Sequence, residues 1–270
     1  MKPCPANRLF KQLFGWARQW LMSSKITAID VWPAILVALS VASGANAGTF
    51  SINPIRVELS RATQSEILHV SNSGSEDVTV QLQTMQWTQS EGEDKLKPTR
   101  DILATPQIFN LRAGASQIVR IGIAKKADPA TEATYRLILE EIPPPPPPGF
   151  RGLQVALKMS LPVFIRPDGA SEPSFDIRLA EQASGESGDI RLDLYNKGLT
   201  HVQLTGIKVY SASTQDEPIA VFDKNTYLLS GQKRQIRLKT RSNVSLPDAI
   251  LIRAETRTGK TEFHAKSGAP

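Results

Sequence analysis

The chain has 270 residues, 40% of them hydrophobic, 21% charged and 6% aromatic, with a formal net charge of +6 at pH 7. These are ordinary values for one large globular domain or two of about 100 to 150 residues, and they exclude a disordered chain, a collagen-like repeat and a supercharged nucleic-acid binder. One cysteine, Cys4, and three histidines, His69, His201 and His264, leave too little material for a disulfide framework or a cysteine-ligated zinc site.

The first segment reads as an address. Lys2, Arg8, Lys11, Arg18 and Lys25 precede an apolar run over 31–42, and Ala45-Asn46-Ala47 forms a small-x-small cleavage site before Gly48. The run is about twelve residues, short of the roughly 18 to 20 that span a bilayer, so residues 1–47 are expected to be a removed signal peptide rather than an anchor. The leader starts at Met1 or at Met22. Its removal takes five of the 32 basic and one of the 26 acidic residues, leaving 27 against 25 and a mature net charge of +2. Neither a nucleic-acid partner nor stable membrane insertion is then expected.

From Gly48 onward the hydrophobic period is two. Ile55, Val57 and Leu59 alternate with Arg56 and Glu58; Val78, Val80 and Leu82 with Thr79 and Gln81; Tyr135, Leu137 and Leu139 with Arg136 and Ile138. Such alternation predicts half-buried strands, and turn clusters such as Ser71-Asn72-Ser73-Gly74 separate them in the manner of an antiparallel sandwich. The longest alternation runs from Leu153 through Val155, Leu157, Met159, Leu161 and Val163 to Ile165, a predicted strand of ~40 Å at about 3.3 Å per residue. That is more than a small sandwich needs for its own core. Six consecutive prolines at 143–148 must form an extended loop ahead of it, and Arg166-Pro167-Asp168-Gly169 is a turn that suits a domain boundary. The expected division is therefore 48–167 and 168–270. Strands in the second part are predicted at 175–179, 190–195, 202–210, 219–222, 235–239 and 249–254.

Catalytic constellations are missing. No G-x-S-x-G elbow, H-E-x-x-H helix, P-loop or dinucleotide G-x-G-x-x-G occurs, and Glu140-Glu141 lacks nearby sugar-stacking aromatics. The reading is of a protein that is not an enzyme and needs no cofactor or metal.

Five stretches in order carry a resemblance. Ile52-Asn53-Pro54-Ile55-Arg56-Val57, Val70-Ser71-Asn72-Ser73-Gly74, Gln117-Ile118-Val119-Arg120-Ile121, Tyr135-Arg136-Leu137 with Glu141-Ile142-Pro143-Pro144, and the run from Leu153 to Phe164-Ile165-Arg166-Pro167 resemble the periplasmic pilus chaperones of the chaperone-usher pathway. The match covers most of 50–167, and the departures point to a divergent, archaic-type branch. The resemblance implies an all-β chain of two immunoglobulin-like β-sandwich domains joined at an angle. It implies a periplasmic location, and a 1:1 complex with fimbrial or pilus subunits that are handed to an outer-membrane usher. Subunits of this kind lack their last strand, and the chaperone lends one whose alternate apolar side chains enter the groove. The matching donors are Leu153, Val155 and Leu157, with Met159 extending the set. Without the resemblance, the same residues would simply complete their own core.

The resemblance also implies an arginine and a lysine that bind the subunit's C-terminal carboxylate. Arg56 falls on the arginine position, while the lysine position carries Pro162; Lys158, four residues earlier on the same face, is the substitute, and Arg120 is a further candidate. Glu132 and Arg166 match an interdomain salt bridge, with Glu255 at its third position. The competing readings are an exported fibre subunit or adhesin and a periplasmic carbohydrate-binding module, though Trp87 is the only tryptophan after the leader.

Overall fold

The described residues form eighteen strands, most of them the period-two segments, and no helix. The computed structural model describes residues 50–125, 130–169, 173–180, 189–241 and 247–266, so the signal peptide expected at 1–47 lies outside the described residues.

The first sandwich has two sheets. One is antiparallel, β1 (Phe50–Asn53), β3 (Ser65–Asn72), β8 (Ser116–Ile123) and β6 (Ile102–Thr105) in that order. The other runs β2 (Val57–Leu59), β10 (Lys158–Ile165), β9 (Ala133–Ile142), β4 (Val78–Ser90), β5 (Glu93–Pro98), with β7 (Ile108–Leu111) also on β4. Only the β2–β10 pair of this sheet is parallel. Inward side chains of both sheets, among them Leu68, Val80, Val119, Leu137 and Val163, form one buried core. Each large aliphatic side chain so buried contributes roughly 1.5–3 kcal/mol.

The second sandwich packs a sheet of β11 (Phe175–Leu179), β12 (Asp189–Asn196) and β16 (Lys233–Lys239) against a second sheet. That sheet contains β14 (Ala220–Phe222), β13 (Val202–Ser211), β17 (Ala249–Thr256) and β18 (Gly259–Lys266), with β15 (Thr226–Leu228) pairing β13. Its separate core includes Ile190, Leu192, Leu204, Val209 and Ile252.

Two departures from the sequence reading have local causes. Ile55 is 73% exposed instead of sharing the inward face of Val57 and Leu59, because the chain crosses from one sheet to the other between β1 and β2. The predicted strand from 153 to 165 enters the ladder only at Lys158. Its partner is the reason. The β9–β10 register pairs Lys158 with Glu140, and continuing it sets Val155 opposite Pro143 and Leu153 opposite Pro145. Proline has no N–H, so the ladder cannot continue there.

β4 reaches beyond the first core. Its distal Trp87 meets Phe164 and Leu229 in a third buried cluster, with Tyr227 packed against it. Beside them the buried Gln89 donates from Nε2 to the Tyr227 carbonyl at 2.9 Å, and its Oε1 accepts the Leu229 N–H at 2.9 Å. A side-chain amide thus serves as one more rung between the sandwiches. Removing it in Gln89→Ala strands two backbone groups of β15 and its C-terminal neighbour, an expected loss of about 1–3 kcal/mol in denaturant unfolding.

Candidate functional site

Residues 153–157 run extended along the first sandwich without joining its sheet. The Glu141 N–H donates to the Leu157 carbonyl at 2.9 Å, and the Leu157 N–H to Glu141 Oε2 at 3.1 Å; no ladder bond forms at 153–156 among the described residues. Leu153 is 87% and Val155 61% exposed, whereas Leu157 and Met159 are half-buried against the first core. The four expected donors therefore form a graded series. Two are anchored in this chain and two project, unpaired, with alternating apolar side chains. An apolar strand with unpaired edges is a template for strand addition.

The outer face of the β2–β10–β9 sheet carries the cations. Pro162 pairs with Arg136 of β9, and on its other side the parallel ladder, extended by one residue, brings Arg56 level with it. With strands about 4.8 Å apart, two guanidinium-bearing residues flank Pro162 where the resemblance had one lysine. Arg136 was not singled out in the sequence, since a lone arginine alternating with core residues looks like any solvated strand face. Its guanidinium lies 3.8 Å over Trp87 and 5.4 Å from the Tyr227 ring centroid. No ion pair or hydrogen bond engages it among the described residues. Arg56, in contrast, has a hydrogen-bonding partner at both Nη atoms and a carboxylate near Nε, which itself makes no hydrogen bond. Nη1 donates to Gln203 Oε1 at 2.9 Å, Nη2 meets His201 Nε2, and Nε lies 2.9 Å from Glu58 Oε1. Burial lowers the pKa of Arg56, Glu58 pulls it back and Arg257 lowers it further; burial likewise lowers Arg136, against Tyr227 and Asp94. Both stay charged, as arginine does in proteins.

Lys158 does not join this pair. It lies four residues from Pro162 along β10, about 13 Å at ~3.3 Å per residue, and its Nζ is 3.1 Å from Glu140 Oε2 on the exposed surface. Arg120 sits on β8 in the opposite sheet, opposite Ile67 of β3 and Thr105 of β6. The expected Glu132–Arg166 salt bridge is not formed. Glu132 is buried and turns to His201, with Oε2 accepting the His201 backbone N–H at 2.8 Å and lying 2.6 Å from its Nδ1. Arg166 instead reaches Glu58 at 4.0 Å, and Glu255 pairs with Lys208 and Lys260, which hold its carboxyl below the usual range. Oε2 of this buried carboxylate finds its partners at short range because the Glu132 N–H to Leu199 carbonyl bond at 3.0 Å brings His201 alongside, while Oε1 is buried with no hydrogen-bond partner. The link between the sandwiches is there and Glu132 is in it, but His201 takes the place expected for Arg166 and Glu255. Arg56, Gln203, His201 and Glu132 meet in a cleft of about 300 Å³, rimmed by Arg166 and Arg257.

Residues 49–171 match the family described as pili and flagellar-assembly chaperone, PapD N-terminal domain. The first sandwich is therefore a domain of that family, and the chain resembles the pilus chaperones. Solved structures agree in fold. A chain of the CsuC–CsuE chaperone–tip adhesion subunit pre-assembly complex, from archaic chaperone-usher Csu pili of Acinetobacter baumannii, superposes with a TM-score of 0.59 at 19% identity, covering 82% of this chain and 100% of that one. A chain of the Salmonella enterica SafA pilin complex with the SafB chaperone gives 0.56 at 18% identity, covering 83% and 99%. The CupB2 chaperone of Pseudomonas aeruginosa gives 0.51 at 13%, covering 81% and 100%. A comparison with curated protein sequences gives no match. At these identities the likeness establishes architecture: two immunoglobulin-like β-sandwiches.

Proposed function

We propose that this chain is an exported, non-catalytic chaperone of the periplasm that captures fimbrial subunits one to one by lending them a strand. Residues 48–167 form its donor domain and 168–270 its second domain. The observation that carries this reading is the segment 153–157, whose apolar side chains alternate outward beside a proline tract that denies it a partner strand. Leu153 and Val155 enter the subunit's groove, while Leu157 and Met159 anchor the lent strand in the first core. The subunit's C-terminal carboxylate sets the register by binding between Arg136 and Arg56, and Lys158 takes no part. No nucleotide or cofactor is required. Hand-over to an outer-membrane usher and release by strand exchange complete the cycle, in keeping with the likeness to a chain of an archaic chaperone-usher complex.

The test is periplasmic co-expression with the fibre-subunit genes encoded nearby, followed by size exclusion. Wild type is expected to yield a stable 1:1 complex. Arg136→Ala removes a charge-assisted contact worth about 1.5–3 kcal/mol, so complex affinity falls roughly tenfold to a hundredfold, while Lys158→Ala behaves as wild type. The reverse pattern returns the anchor to Lys158. A wild type that captures nothing overturns the function.

A further inference from the structure

The contact between Arg56 and His201 constrains where protons sit. The His201 ring stacks on Phe164 of β10, with centroids 3.7 Å apart and planes within 11°. Its Nδ1 and its backbone N–H both address Glu132 Oε2, and its Nε2 meets Arg56 Nη2. A guanidinium carries donors and no acceptor, so Nε2 must present its lone pair and the single ring proton must lie on Nδ1, facing Glu132. The remaining titratable neighbour of the ring is Tyr227 of β15, at 5.7 Å between centroids. Glu58 and Arg257 act one step away, Glu58 at Arg56 Nε and Arg257 on Glu58 at 3.4 Å.

We propose that His201 is a proton-operated latch on Arg56, a positioning residue that decides whether this guanidinium is tied to the second sandwich or presented to an incoming carboxylate. The proposal rests on the reading of Arg56 as a carboxylate anchor. Neutral His201 holds Nη2 and keeps it from a ligand. A proton on Nε2 turns that acceptor into a donor and sets a cation against a cation, while Nδ1–H keeps the ring on Glu132. Arg56 then retains Gln203 and Glu58 and releases Nη2. Both the freed donors and the added charge favour a carboxylate. Imidazole is the side chain that ordinarily changes charge between about pH 5 and 8, and an α-carboxylate, ordinarily titrating at about 3.3–3.7, stays ionised throughout. Capture should therefore strengthen as acidification puts a proton on Nε2, by at most about tenfold per pH unit for one linked proton.

Two measurements test the latch. In the first, imidazole nitrogen NMR of the mature protein, which needs no subunit, should find neutral His201 protonated on Nδ1. Acetate against chloride at equal ionic strength should raise its titration midpoint in wild type and not in Arg56→Ala. In the second, capture by wild type should rise severalfold on acidification. His201→Gln retains an acceptor for Arg56 and a donor for Glu132 but cannot titrate, so its capture should be flat with pH, with circular dichroism confirming its fold. A proton on Nε2, a midpoint indifferent to acetate, or a wild-type pH profile in His201→Gln overturns the latch. An acetate-sensitive midpoint with no subunit captured at any pH supports the latch and defeats the chaperone reading instead.

Discussion

Val155→Glu is expected to fold as wild type and to lose subunit capture by more than about a hundredfold. In the free protein the side chain is mostly exposed and outside the ladder, so a carboxylate there is hydrated, and a surface change of this kind falls within about 0.5 kcal/mol of neutral. In the complex the same carboxylate would sit in an apolar groove without a counterion. Burying an unpaired charge costs several kcal/mol, and each 1.4 kcal/mol or so is tenfold in affinity. Gln154→Glu supplies the control. It adds the same charge to the opposite face of the segment, where the Gln154 amide now donates to the Pro144 carbonyl at 2.7 Å, and it should still capture. Pull-down titration with unfolding curves separates the cases; equal losses in both variants would show that charge, not strand insertion, governs binding.

Trp87→Ala should cost about 3–5 kcal/mol of unfolding free energy, the usual range for deleting a buried aromatic. Trp87 is 1% exposed and holds three elements at once: its ring centroid is 6.1 Å from Phe164 of β10 and 5.4 Å from Tyr227 of β15, and Arg136 of β9 stacks on it. Its loss opens a cavity at the joint and unseats Arg136, so capture should fall along with stability. Urea unfolding reads the first effect and co-purification the second. A change under about 1 kcal/mol would mean that the joint is loosely packed and that Arg136 needs no platform.

Much of the fold is legible because half-buried strands write themselves as alternation. Ile190, Leu192 and Leu194, or Val202, Leu204, Ile207 and Val209, announce β12 and β13 with ends within a residue or so. Strands exposed along their length leave no such mark. β5, Glu-Asp-Lys-Leu-Lys-Pro, and β18, Gly-Lys-Thr-Glu-Phe-His-Ala-Lys, are edge strands with almost no buried face, and period-two reasoning passes over both. The residues proposed as donors are legible for the same reason as the core strands, yet alternation says only that a face is apolar. Whether that face is covered depended on the partner strand, and the prolines at 143–148 supplied the answer once the β9–β10 register placed them opposite the segment.

The proposed anchor and the joint are a different matter. By itself the sequence determined that the chain is all-β, that its apolar strand is longer than its own core requires, and that Arg56 stands just ahead of a core strand. Only the tertiary structure decided that Arg136 flanks Pro162, that Glu132 pairs with His201 rather than Arg166, and that Arg56 is held by the second sandwich. The physical reason is range. Hydrophobic period is a local property, set by two-residue alternation against one core, whereas a buried charge takes whatever partner the packing delivers, here across sequence separations of 69 residues for Glu132–His201 and 145 for Arg56–His201.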